Sequence, residues 1–309
     1  MPITATLPTQ ASIVEVGPRD GLQNEPGRIN LDDKVDLVNA LAQAGVQRIE
    51  AGAFVNPTWV PQMADSFDVF THITRTPGVS YSALTPNIKG FDRALAAGAD
   101  EVAIFAAASE AFSQKNLNCD INTSLERFAE VVAAAQANNI PVRGYISCVL
   151  GCPYSGRVEL QTCLDIAREL LAMGCYEISL GDTIGVGTAA DTQRLLACLL
   201  NDIPVDQLAV HMHDTYGQAL SNILAALQMG VHVIDSSVAG LGGCPYAQGA
   251  TGNVATEDVI YLLDGLGINH GINLPQLMAA GQRICDRLGK RNNSKVSQAH
   301  SARSQTLHN

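Results

Sequence analysis

An eightfold alternation of short extended runs with longer amphipathic ones constrains this chain more than any other feature. Ser12–Val16, Arg48–Glu50, Val79–Ala83, Glu101–Ala106, Val142–Val149, Glu177–Leu180, Leu208–His213 and Val233–Ser237 read as strands. Between them, Leu31–Ala44, Ile88–Ala97, Leu125–Asn138, Leu160–Met173, Thr192–Leu200, Ala219–Met229 and Thr256–Leu266 carry helical patterning. Several of these end at a glycine, as at Gly45, Gly174 and Gly230, which suits the left-handed turn that closes a helix. The second connection, through Pro57–Pro61, is irregular. Eight strands, each followed by a helix, predict an α/β fold of the (β/α)8 TIM-barrel type rather than an open doubly wound sheet of five or six strands. No Gly-x-Gly-x-x-Gly follows the first strand, which weakens the open-sheet alternative further.

The 309 residues fit one such unit. Residues 1–290 read as a single catalytic domain that includes a further amphipathic helix at Leu274–Leu288, and the polar 291–309 segment as a flexible tail. A hydrophobic share of 47% against 16% charged residues is enough to fill a large core. The net charge of −11 argues against a nucleic acid or an anionic membrane as partner, since phosphates demand excess Lys and Arg. An anionic small molecule needs only a few local positive groups or a metal. No run approaches the roughly 20 apolar residues of a membrane span. The start, MPITATLPTQ, lacks a secretory pattern, and the eight cysteines form no Cys-x-x-Cys pair. A cytoplasmic location is the expectation.

Chemistry in such a barrel belongs at the carboxyl ends of the strands. There the chain carries Arg19 and Asp20, Glu50, Gly181-Asp182-Thr183, His211-Met212-His213-Asp214, and a loop from Gly240 to Tyr246 followed by Asn253. Strand residues two apart share a face, so His211 and His213 project together. Their spacing alone fits a hydrogen-bonded rim pair as well as a metal pair. Asp20 and Asn253, from adjoining strands, tip the balance toward metal. A set of imidazole, carboxylate and amide without thiolate favours Mg²⁺ or Mn²⁺ over structural zinc. Asp214 faces away and is expected to be structural. Arg19, in a Gly- and Pro-bounded turn, suits stabilisation of negative charge on a reacting oxygen. Glu15 needs a partner if buried, and Arg19 is one choice. Cys244 differs from the other cysteines in lying in a glycine-rich loop able to close over a ligand. Cys148 and Cys152 read as structural.

The segments Val14–Glu25, Trp59–Asp65, Gly174–Gly185, His211–Gly217 and Gly240–Ala247 resemble those of the 3-hydroxy-3-methylglutaryl-CoA lyases. The resemblance runs from about residue 10 to residue 298, and its motifs are long. It implies a divalent metal on Asp20, His211, His213 and Asn253, with catalytic roles for Arg19, Cys244 and His211. Arg19 would steady an enolate oxygen and Cys244 would transfer a proton. It implies substrate contacts at Arg19, Gln23, Glu50 and Asp182, and support from Glu257 and Asp258. The implied activity is carbon–carbon cleavage of an acyl-CoA to acetoacetate and acetyl-CoA, as in leucine degradation; barrels of this size often dimerise, so a homodimer or higher homo-oligomer is the expectation. Lys115 and Arg143 are candidates for the CoA phosphates.

Departures from the family pattern lie around the substrate end of the barrel: Ala53 where a serine is typical, Pro26 where lysine is common, and Asn56 and Thr58. They bear on the acyl group more than on the reaction, and a longer branched 3-hydroxyglutaryl-CoA is the alternative substrate. Rival readings are a condensing acyltransferase of the same superfamily, a metal-free thiol hydrolase built on Cys244, and a non-catalytic metal-binding barrel.

Overall fold

Strand formation follows the apolar runs closely. In a computed structural model, which describes residues 7–243 and 252–306, the strands are β1 (Ser12–Glu15), β2 (Arg48–Ala53), β3 (Ser80–Leu84), β4 (Glu101–Ala107), β5 (Val142–Ser147), β6 (Glu177–Asp182), β7 (Leu208–Met212) and β8 (Val233–Ser236). All pairings are parallel, and β1 bonds both β2 and β8, so the sheet closes in the order β1 to β8. This is the (β/α)8 barrel that the alternation predicts.

The outer ring comprises α1 (Leu31–Gln43), α2 (Ser66–His72), α3 (Ile88–Ala96), α4 (Glu110–Leu117), α5 (Ile121–Ala137), α6 (Leu160–Met173), α7 (Ala189–Leu199), α8 (Ala219–Gln228), α9 (Thr256–Leu266), α10 (Leu274–Leu288) and α11 (Lys295–Thr306). Asn30, Asn87, Asp120 and Thr188 cap α1, α3, α5 and α7 by accepting from backbone amides of the first turn. The irregular second connection contains α2. The polar segment after Arg291, expected to be a flexible tail, instead carries α11. Its first turn is tied to the barrel by Asp258, which accepts from Ser294 Oγ and from the amides of Lys295 and Val296. Composition hid this helix because its apolar stripe is weak and its anchor lies elsewhere in the chain.

Inside the barrel, side chains alternate inward and outward along each strand. One sector is apolar, where Val14, Val16, Ala209 and Val233 pack together. The other holds buried charge: Arg48 and Arg143 donate to Glu177, and Arg143 also donates to Asp235. Barrel interiors are usually filled by branched aliphatic layers. Arg143, considered for a CoA phosphate, is therefore enclosed in the barrel core and removed from solvent.

Candidate active site

Between β1 and α1 the chain makes one π-type turn over residues 17–21, in which the Gly21 amide donates to Val16 O at 3.1 Å. Such wide turns recur at functional sites because they re-aim side chains. Here the turn sends Arg19 and Asp20 into the barrel mouth. Arg19 donates through Nε to Glu50 Oε2 at 2.6 Å and through Nη1 to Asp20 Oδ1 at 2.7 Å. Arg19, one partner considered for Glu15, does not pair with it. Alternation points Glu15 to the outer face of β1, where it accepts from the amides of Gly17 and Val238 and from Thr256 Oγ1.

Asp20 gathers the site. Its Oδ1 also accepts from Gln23 Nε2 at 2.9 Å, and its Oδ2 accepts from Asn253 Nδ2 at 2.8 Å. Burial opposes its charge, but Arg19, His211 and His213 bring its pKa down to about 2. His211 and His213 face each other with Nε2 atoms 3.2 Å apart. Asp20, His211 and His213 each place a ligand atom within 4.8 Å of the others, the spacing a single ion requires. Two imidazole nitrogens turned toward one another beside a carboxylate fit a shared cation. Asn253 sits beside His213 through an isolated backbone bridge. Gly242 makes that approach possible: at φ +95°, a Cβ there would lie 2.9 Å from Asn253 Nδ2. Burial and the neighbouring His211 push the His213 pKa down to about 4, which keeps its imidazole neutral and able to bind.

These groups open onto a cavity of ≈ 700 Å³, within the range of small-molecule sites. Arg19, Asp20, Gln23, His211, His213 and Gly243 line it. Glu50 lies behind Arg19, with burial raising its pKa and Arg19 opposing the rise. Asp182, expected at the substrate, is not brought to the cavity. It is enclosed and accepts from the amides of Val186 and Gly187, so it shapes the β6–α7 loop while Gly181 and Thr183 face the cavity. Glu257 accepts from the Ala239 amide. Asp214 accepts from the amide of Ala219 at the start of α8, as a structural residue would. Cys244 lies outside the described residues.

Two participants escaped sequence reasoning. Tyr145 lines the cavity, with its ring 5.8 Å from the Arg19 guanidinium and edge-on to His211 at 6.3 Å. Asp235 Oδ2 lies 3.3 Å from His211 Nδ1. Both sit inside apolar strands, and an inward polar residue on the strand alternation was the available signal.

A closed parallel barrel with Arg, Asp and two His at its carboxyl mouth, opening on a ligand-sized cavity, defines a barrel enzyme whose site can hold a metal. More particularly, the chain belongs to the HMGL-like family, which matches residues 10–284. It is 59% identical over 293 residues to the mitochondrial hydroxymethylglutaryl-CoA lyase of Gallus gallus, covering 95% of this chain and 98% of that one. Identity is 60% to the 3-hydroxy-3-isohexenylglutaryl-CoA/hydroxymethylglutaryl-CoA lyase of Pseudomonas aeruginosa, with the same coverage of both chains. A crystal structure of hydroxymethylglutaryl-CoA lyase from Pseudomonas aeruginosa superposes with a TM-score of 0.95 at 60% identity, covering 96% of this chain and 99% of that chain. Among the described residues, no helix is long and apolar enough to cross a membrane.

Proposed function

We propose that this enzyme cleaves 3-hydroxy-3-methylglutaryl-CoA to acetoacetate and acetyl-CoA. The carrying observation is the convergence of Arg19, Asp20, His211 and His213 on one cavity in a chain about 60% identical to lyases named for this reaction. The donor set suits Mg²⁺ or Mn²⁺, held by Asp20, His211 and His213 with Asn253 beside them. When bound, such an ion supplies Lewis acidity that eases loss of a hydroxyl proton. Arg19, pinned by Glu50 and Asp20, presents fixed positive charge where a thioester enolate would develop. Gln23 and Asn253 hold the Asp20 carboxylate in place. Cys244, one residue beyond the cavity-lining Gly243, is the proposed proton donor. The described cysteines are free thiols, which suits a reducing compartment such as the cytoplasm.

Incubation with 3-hydroxy-3-methylglutaryl-CoA should yield acetoacetate and acetyl-CoA in Mg²⁺ and none in EDTA. Free CoA with intact 3-hydroxy-3-methylglutarate, indifferent to EDTA, would instead indicate the thiol hydrolase. His211→Ala or His213→Ala should abolish high-affinity Mn²⁺ binding.

A longer branched 3-hydroxyglutaryl-CoA is a second reading, favoured by the cavity wall. Val55, Val60, Leu84, Phe105, Phe112 and Ile146 give that wall an apolar character. A register shift in β2 between Glu50 and Gly52 pairs Ala53 with Leu84, so this small apolar side chain lies beside that wall. Rates across 3-hydroxyglutaryl-CoA substrates of increasing 3-alkyl length decide between the two. A steep fall beyond methyl would eliminate the longer substrate.

A further inference from the structure

His211 is held from behind as well as from the cavity. The register of β7 on β8 sets Asp235 opposite His211, and the Asp235 carboxylate is completely enclosed. Both of its oxygens are fastened. Arg143 donates through Nη2 to Oδ1 at 2.7 Å and through Nη1 to Oδ2 at 3.1 Å, and Ser179 Oγ donates to Oδ2 at 2.7 Å. Arg143 is anchored in turn, since its Nε donates to Glu177 Oε1 at 2.6 Å and Arg48 donates to the same oxygen at 2.9 Å. The Tyr145 ring wedges the pair, 4.9 Å from the Arg143 guanidinium and at 90° to the His211 imidazole.

An ionised carboxylate only accepts hydrogen bonds. The hydrogen in the His211–Asp235 contact therefore sits on Nδ1, and in the neutral imidazole this leaves the His211 Nε2 lone pair free. That nitrogen is the one facing His213 Nε2. We infer that Asp235, clamped by Arg143 and Ser179, is a positioning residue that fixes the Nδ1–H tautomer of His211 and aims its Nε2 at the cation site. Its effect on cation affinity rests on the metal reading given above, whereas the tautomer itself is measurable in metal-free protein. Carboxylate partners of this kind commonly orient ligating histidines and raise their basicity. A simple barrel-filling ion pair would leave the imidazole indifferent to Asp235.

The test uses the full chain, metal-free and labelled with ¹⁵N-histidine, with the His211 signals identified by their loss in His211→Gln. At a pH where His211 is neutral, two-bond ¹H–¹⁵N couplings should report Nδ1–H in the wild type. In Asp235→Asn, Arg143 claims the amide oxygen and the NH₂ group turns to His211, so the tautomer should invert to Nε2–H. Arg143→Met/Asp235→Leu removes both charges, leaves neither buried alone, and should give a mixture of tautomers if Asp235→Asn does not fold. Mn²⁺ titration followed by electron paramagnetic resonance should show affinity falling roughly 10–100-fold in either variant. An Nε2–H wild type, or a tautomer unmoved in the variants, would overturn the inference. The expected tautomers in a protein that takes up no Mn²⁺ would support the positioning role and remove the metal reading alone.

Discussion

Asp235 and Glu15 are both fully buried carboxylates, yet they are held in opposite ways. Asp235 lies inside the barrel against Arg143; burial works to neutralise it, but Arg143 and His211 hold its pKa well below the usual range. Glu15 lies outside β1, where its donors are two amides and a hydroxyl, all neutral. There burial wins and its pKa rises to about 7. Glu257, held by the Ala239 amide and close to Glu15, is raised to about 8 for the same reason. The bidentate guanidinium keeps Asp235 ionised out of water, whereas the neutral donors around Glu15 and Glu257 do not offset burial. The barrel thus keeps an ionised carboxylate behind His211, and two carboxyls with raised pKa beneath the β8–α9 connection.

The largest test breaks the ion pair from one side. Arg143→Met alone leaves the buried Asp235 charge without its guanidinium and should lower unfolding free energy by about 3–5 kcal/mol in urea titration. Adding Asp235→Leu should restore much of that loss. A double variant no more stable than Arg143→Met would mean the interior charges are not coupled.

Glu15 supplies a test of opposite sign. Its folded pKa lies above the ordinary 4.5, so between about pH 4.5 and 7 the folded state binds more protons than the unfolded state. Its contribution is fully present below that window and is lost as pH rises through it. Glu15→Gln should therefore flatten the decline of Tm with pH, by an amount equivalent to about 3 kcal/mol across the window. An unchanged slope would show that Glu15 is ionised in the fold. Glu257→Gln should act in the same sense and extend to about pH 8.

Asp258 gives the smallest effect. It is another carboxylate held by amides, serving as the cap of α11, and Asp258→Ala should cost about 1 kcal/mol. Limited proteolysis should then cut within Lys295–Thr306 first, and protection equal to wild type would show that α11 is anchored by packing instead.

Much of this protein was legible in its residue order. The strands and the longer helices came within a few residues, because a buried parallel strand and an amphipathic helix have different periods, whereas α2, α4 and α11 were not read. Asp20, His211, His213 and Asn253 were identified together because strand ends in a barrel converge. Arg19 stood as one possible partner for Glu15 because the π-type turn at residues 17–21, which sends Arg19 to the barrel mouth, leaves no mark in residue order. Asp182 looked like a substrate contact because its place at a strand end is the same whether its carboxylate faces the cavity or its own loop.

Sequence alone therefore determined the barrel, the position of its working end and the metal-competent cluster. All three follow from local periodicity and from the geometry of strand ends. Only the tertiary structure decided which carboxylates are charged and which side chain stands behind His211. Those depend on desolvation and on partners far apart in the chain, as Arg143 is from Asp235, and no local pattern encodes either.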